Sequence, residues 1–139
     1  MQNPPFTTLI TAEQLKALLG RSAASTMVFD CSFELMKPDA GPQLYRAAHI
    51  PGALNRPFAE NLGPDGKFKP AAQLRAEFEN LLAGRDPATV VHQCGSGVSA
   101  VPNLLAMQIA GLGPTALYAG SWSEWSNTPG LPTRQGTQA

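Results

Sequence analysis

Val90-Val91-His92-Gln93-Cys94-Gly95-Ser96-Gly97-Val98-Ser99-Ala100 is the stretch that decides the fold. It opens on β-branched apolar residues, the mark of a buried strand. It then passes through Cys94 into a short Gly/Ser loop, and from Val101 to Leu112 into an apolar helical pattern. A cysteine therefore stands where a strand hands over to a helix. Loop amides and the helix N-terminus point at whatever anion sits on such a sulfur. Settings of this kind favour the thiolate, the nucleophilic form. The pattern predicts cysteine chemistry on a small anionic group.

Similar alternations flank this stretch on both sides. Residues 11–19 read as a helix, with Thr11 as N-cap, Gln14 three residues on, and Leu15, Leu18 and Leu19 as its stripe. Gly20 is expected to end it. Met27 to Phe29 reads as a short buried strand ending at Asp30, followed by a long polar connection from Glu34 to Tyr45. His49-Ile50-Pro51-Gly52-Ala53 is a turn, and residues 61–69 form a loop around Gly63-Pro64-Asp65-Gly66. Pro70 to Leu82 predicts a second helix, stopped by Gly84. Ser99 to Ala110 predicts a third, with Pro102 in its first turn. Ala116 to Tyr118 reads as a last short strand before Gly120-Ser121-Trp122-Ser123-Glu124-Trp125. Short apolar strands alternating with helices predict an α/β domain, a small central mostly parallel sheet flanked by helices. Ligands bind such sheets at the carboxyl ends of the strands. Cys94, Asp30 and Cys31 all fall there.

The chain's 139 residues match one domain, with a core over about residues 8–127 and a loose tail over 128–139. Ten basic and ten acidic side chains balance, so nothing favours nucleic acid or an anionic membrane as partner. No apolar run reaches the roughly 18 residues of a spanning helix, and Met1 to Thr8 is unlike a signal peptide. Two cysteines make no disulfide framework and fit a reducing, cytoplasmic setting. Neither a Cys/His metal spacing nor a nucleotide-type glycine fingerprint is present, so no metal or other cofactor is expected.

Four pieces in order carry a family resemblance: Phe29-Asp30-Cys31-Ser32-Phe33, Tyr45-Arg46-Ala47-Ala48-His49-Ile50-Pro51-Gly52-Ala53, the Cys94 loop, and Gly120 to Trp125. In these the chain resembles the rhodanese (sulfurtransferase) family. The resemblance implies a small α/β domain and sulfane-sulfur transfer through a cysteine persulfide. It implies a small sulfur donor and a thiol or cyanide acceptor, a thioredoxin-like protein among the candidates. Thiosulfate-using members tend to carry basic residues just after the cysteine, where this chain has Gly95 and Ser96. Its Cys-Gly-Ser-Gly-Val-Ser loop is similar to that of 3-mercaptopyruvate sulfurtransferases. That donor leaves as the enolate of pyruvate, which needs protonation, and a hydroxyl at Ser96 suits the relay. Members of that group usually hold two tandem domains. Residues 28–53, including Met36 to Gly41, look like the front of a first domain, and 54–127 like the back of a second. Second-domain fronts often place an arginine where this chain has Ser32. Arg46 and Arg56 are the candidates to replace it at the donor carboxylate.

Each candidate has a plainer alternative. Cys94 is read as the nucleophile against a buried structural cysteine. Gly95, Ser96, Gly97, Val98 and Ser99 form the expected anion-binding loop, with Gly95 and Gly97 free to adopt left-handed backbone. Ser99 also suits a helix N-cap, and Ser96 simple loop polarity. Cys31 is a resolving thiol or a small core residue. His49 and Asp30 are read as structural groups near the site, and His92 as non-catalytic. Arg46 and Arg56 contact a carboxylate or are solvated surface charges. Trp122 and Trp125 are read as packing. A phosphatase on the same fold would need an arginine before the helix, and none occurs from 95 to 111. A non-catalytic persulfide carrier or interaction module stays as the alternative to an enzyme.

Overall fold

The computed structural model describes residues 9–21, 26–31, 48–95 and 99–136. Ser32, the 36–41 stretch, Arg46, Ser96, Gly97 and Val98 lie outside the described residues. In chain order the elements are α1 (Ala12–Arg21), β1 (Met27–Asp30), β2 (Leu54–Asn55), α2 (Ala71–Leu82), β3 (Val90–Gln93), α3 (Val101–Ile109), β4 (Ala116–Leu117) and α4 (Ser121–Trp125). Two 3-10 turns, Phe58–Asn61 and Pro87–Thr89, precede α2 and β3.

The strands form one sheet in the order β2-β1-β3-β4, and every pairing is parallel. A parallel sheet is covered on both faces, so its central strands carry unbroken rather than alternating apolar runs. β1 and β3 are buried at all their positions. Leu9 adds a parallel bridge to Leu117, and the Ile10 N–H donates to Leu117 O at 3.0 Å.

Alternation along the strands splits the core in two. On one face Met27, Phe29, Cys31, Val90 and Cys94 meet Leu74, Phe78 and Leu82 of α2 and Ala106 and Met107 of α3. On the other, Val28, Val91, Ala116 and Tyr118 meet Leu15 of α1, Trp125 of α4, Ile50 and Ala53. Val101, Leu105 and Ile109 stay exposed along the outer side of α3.

Local signals set most element ends. The Thr11 N–H donates to Gln14 Oε1 at 2.9 Å and the Gln14 N–H to Thr11 Oγ1 at 3.1 Å, the reciprocal cap that starts α1. Pro51-Gly52 closes its turn with the Ala53 N–H on Ile50 O at 3.0 Å and Gly52 at φ +85°. α1 runs one residue past Gly20. The left-handed stop after α2 begins at Ala83 (φ 50°), one residue before Gly84. Ser99 is not the cap of α3: Ala100 holds that place and accepts from the Asn103 and Leu104 N–H groups at 3.1 and 3.2 Å.

Residues 128–136 carry hydrogen bonds to the body of the domain. His49 and Arg134 exchange two backbone hydrogen bonds of 2.8 Å each, and Trp125 Nε1 donates to Pro132 O at 2.7 Å. Leu131 packs against the second core cluster. Pairing with a buried turn, which local composition does not report, holds this segment. Among the described residues no helix is long and apolar enough to cross a membrane.

Candidate active site

Cys94 is the first residue past β3, at the carboxyl end of the sheet, and is 1% exposed. Its backbone is gripped by the segment that follows β4. The Cys94 N–H donates to Ser121 Oγ at 3.1 Å, and that hydroxyl donates to Tyr118 O at 2.8 Å. The Trp122 N–H donates to Cys94 O and the Ser123 N–H to Gly95 O, both at 2.8 Å. Ser123 Oγ adds a bond to Gly95 O at 2.7 Å. Two residues and two carbonyls of the cysteine loop are thus fixed from a neighbouring strand end. Sequence reasoning assigned Trp122 and Trp125 to packing and gave Ser121 and Ser123 no role. The available signal was their position: serines just past β4, the strand next to β3.

Ser121 is held at φ 52°, a left-handed conformation that costs a residue with a Cβ about 1 kcal/mol. Its two hydrogen bonds offset that cost. Ser121→Ala keeps the strained backbone and leaves a buried amide unpaired, so it should lower stability by about 1–3 kcal/mol. Urea unfolding measures this, and an unchanged midpoint would remove Ser121 from the clamp.

Cys31 lies beside Cys94 on the same face and is fully buried. Asn103 Nδ2 donates to its sulfur at 2.8 Å, the sulfur lies 3.5 Å from Phe29 O, and His92 Nδ1 is 3.8 Å away. Burial pushes the Cys31 thiol well above its ordinary range, and the charges of Asp30 and Cys94 push the same way. Asn103 Nδ2 also donates to Arg56 O (2.9 Å), and Asn103 Oδ1 accepts from Asn61 Nδ2 (2.6 Å). A buried polar chain therefore runs from the back of Cys31 to the first turn of α3 and on to Arg56.

Arg56 is neither a solvated surface charge nor an open carboxylate contact. Its guanidinium donates to Asn61 Oδ1 at 3.1 and 2.9 Å and to Glu77 Oε1 at 2.9 Å, and stacks 4.7 Å above Phe78. Burial alone would raise the Glu77 carboxyl, but Arg56 and Lys69 together hold it below its ordinary value. A buried cation needs this pairing, and the pairing takes the fork that a donor carboxylate would use.

The other candidates take quieter places. The His49 backbone pairs with Arg134, and its side chain is buried. Asp30 is buried at the end of β1 and its carbonyl accepts the Arg56 N–H at 2.8 Å. Gly95 does not use the left-handed backbone open to it, and a Cβ there would meet open space. Ser99 is half-buried, just before Ala100. A cavity of about 950 Å³ opens between α1, the start of β1 and the tail, lined by Leu19, Met27, Leu54 and Arg134; neither cysteine lines it. No group of three or more His, Cys, Asp or Glu among the described residues could hold a metal ion.

Two buried polar side chains on β3 have measurable consequences. Burial lowers the His92 ring to about 3, against an unfolded value of about 6.5. The folded state binds its proton less readily than the unfolded chain. Its contribution is therefore complete above about pH 6.5 and is lost as pH falls toward 3. Between pH 7 and 5 the protein should lose about 2 kcal/mol from this group, read by urea unfolding. His92→Asn should flatten that slope; an equally steep slope would assign the loss elsewhere. Gln93 is fully buried, and neither polar atom of its amide has a hydrogen-bond partner among the described residues. Gln93→Met removes an unpaired amide at similar volume and should raise stability by about 1 kcal/mol. A lower melting temperature would show that the amide is paired.

A strand-end cysteine held by a second loop, on an all-parallel sheet covered on both faces, is the arrangement that comparison with known proteins explains. The profile of the rhodanese-like domain matches residues 11–128. The chain belongs to the rhodanese-like domain family. This rhodanese-like domain is 42% identical over 139 aligned residues to a probable 3-mercaptopyruvate sulfurtransferase of Pseudomonas aeruginosa, covering 96% of the chain and 46% of that protein. It is 39% identical over 93 residues to the sulfur carrier protein TtuD of Thermus thermophilus, covering 67% of the chain and 33% of that protein. The chain thus spans less than half the length of these curated relatives. Among solved structures, the Tum1 protein of Saccharomyces cerevisiae superimposes with a TM-score of 0.68 at 26% identity, over 95% of the chain and 47% of that protein.

Proposed function

We propose that this rhodanese-like domain is a sulfurtransferase with Cys94 as its nucleophile. The observation that carries the reading is Cys94 itself, fixed at the carboxyl end of β3 in a chain 42% identical to a probable 3-mercaptopyruvate sulfurtransferase. In the favoured reaction the Cys94 thiolate attacks the sulfur of 3-mercaptopyruvate. The carbon–sulfur bond breaks, the enolate of pyruvate leaves and takes a proton, and a persulfide stays on Cys94. A thiolate or cyanide then attacks the outer sulfur and restores the Cys94 thiolate. Ser96 is the proposed proton donor to the enolate, and Gly95, Gly97, Val98 and Ser99 the anion-binding loop, with fixed amide dipoles stabilising the negative charge. Arg46 stands as the candidate carboxylate contact, since Arg56 is held by Glu77 and Asn61. A cytoplasmic setting with a thioredoxin-like acceptor suits both thiols.

A second reading, a persulfide carrier loaded by a protein partner, draws on two facts. A sulfur carrier protein is among the relatives, and the guanidinium of Arg56 is already taken. Sulfur release from 3-mercaptopyruvate and from thiosulfate, with cyanide or a dithiol as acceptor, separates the readings. Turnover favouring mercaptopyruvate is expected. Preference for thiosulfate would overturn the donor. No turnover with either, but persulfide uptake from a protein donor, would make the chain a carrier.

A further inference from the structure

β1 and β3 run side by side in parallel, with Asp30 opposite Gln93. Cys31 and Cys94 are each the next residue. The Cys31 N–H donates to Gln93 O at 2.7 Å, so the ladder continues into the cysteine pair. Both side chains belong to the same core cluster, on the face covered by α2 and α3. Residues paired across neighbouring strands have Cα atoms about 5 Å apart. A disulfide spans Cα separations of roughly 4.4–6.8 Å, a range that includes the spacing of neighbouring strands.

The surroundings of Cys31 exceed what a core residue needs. Asn103 Nδ2 aims an N–H at its sulfur, which stabilises negative charge there. His92 holds Thr115 Oγ1 with Nε2 at 3.1 Å and presents Nδ1 to the same sulfur. In the tautomer protonated at Nε2, Nδ1 can accept a hydrogen bond from the thiol.

We infer that Cys31 is a resolving thiol for Cys94, and that the chain releases sulfide by closing a Cys31–Cys94 disulfide. The step rests on the persulfide reading of Cys94. Cys31 Sγ attacks the inner sulfur, Cys94 Sγ, as its thiol proton leaves. The bond from Sγ to the outer sulfur breaks and the Cys31–Cys94 bond forms. The outer sulfur leaves as hydrosulfide and takes up the proton that Cys31 gave up. The sulfane sulfur gains two electrons, and the two thiols lose them as a disulfide. An external dithiol reductant reopens the disulfide through two exchanges. Sulfur on Cys94 thus has two exits, transfer to an acceptor or release as sulfide with the nucleophile locked until it is reduced.

The test begins without variants. Reduced wild-type protein is treated with diamide, alkylated under denaturing conditions, and read by intact mass and non-reducing peptide mapping. The expected product has lost the mass of two hydrogens and yields a linked Cys31–Cys94 peptide pair. Persistence of two alkylatable thiols would overturn the inference whatever the sulfur chemistry. The protein is next loaded with sulfur from 3-mercaptopyruvate or thiosulfate, without an acceptor. Wild type should release sulfide and end as the disulfide. Cys31→Ser and Cys31→Ala should keep the added sulfur on Cys94 at least about tenfold longer. Equal persulfide lifetimes in wild type and variants would overturn the resolving role alone. Variants that never gain sulfur from any donor, while wild type still closes the disulfide with diamide, would count against the sulfur-transfer reading instead.

Discussion

Cys94→Ala should reduce sulfur transfer from either donor to background, a loss of at least about a thousandfold. No hydroxyl or amide beside it can carry a sulfane sulfur between donor and acceptor. Cys31 cannot take over the role. Its sulfur is fully buried and enclosed by Asn103, Phe29 and His92. The loop should survive the substitution, because the bonds to the backbone of residues 94 and 95 remain. The melting temperature should therefore stay close to that of wild type, which separates lost chemistry from lost fold. Initial rates with cyanide as acceptor make the measurement. More than a tenth of wild-type activity in a folded Cys94→Ala protein would move the nucleophile elsewhere.

Arg56→Met should cost about 3 kcal/mol of stability, the cost of removing one partner from a buried charged pair. The Arg56 side chain is 7% exposed and that of Glu77 27%, so the pair is only partly screened by water. Loss of the guanidinium strands Asn61 Oδ1, which is fully buried, and removes the stack on Phe78. Lys69, 3.1 Å from Glu77, keeps that carboxylate paired and limits the damage. Asn61 also holds Asn103, so looseness at Arg56 passes to the first turn of α3 behind the cysteine. Glu77→Gln, which leaves the hydrogen-bonded frame, should cost less, about 1 kcal/mol. Urea unfolding of both variants, with KM for mercaptopyruvate on the folded fraction, decides between the roles. A raised KM with unchanged stability would return Arg56 to the donor.

The strand-loop-helix around Cys94 was legible because every local signal agreed. A β-branched run, two glycines and a proline in the first turn permit few other readings. The cap of α1 was legible for the same reason, since Thr11 and Gln14 satisfy each other within one turn. Arg56 was not. A basic residue after a turn carries no mark of the carboxylate twenty-one positions on that will take it up. Nor was the pairing of Arg134 with His49, because proline, glycine and polar residues report backbone freedom and not a distant partner.

The sequence by itself determined the α/β alternation, the parallel sheet, the place of Cys94 at a strand end and the rhodanese family. These rest on periodicity, turn chemistry and motif order, all written within a few residues of one another. Only the tertiary structure decided which groups hold the cysteine loop, where the Arg56 charge goes, and that Cys31 is the neighbour of Cys94. Those facts depend on strand order. Placing β1 and β4 on either side of β3 brings residues 31, 94 and 121 together, and no local rule connects positions so far apart along the chain.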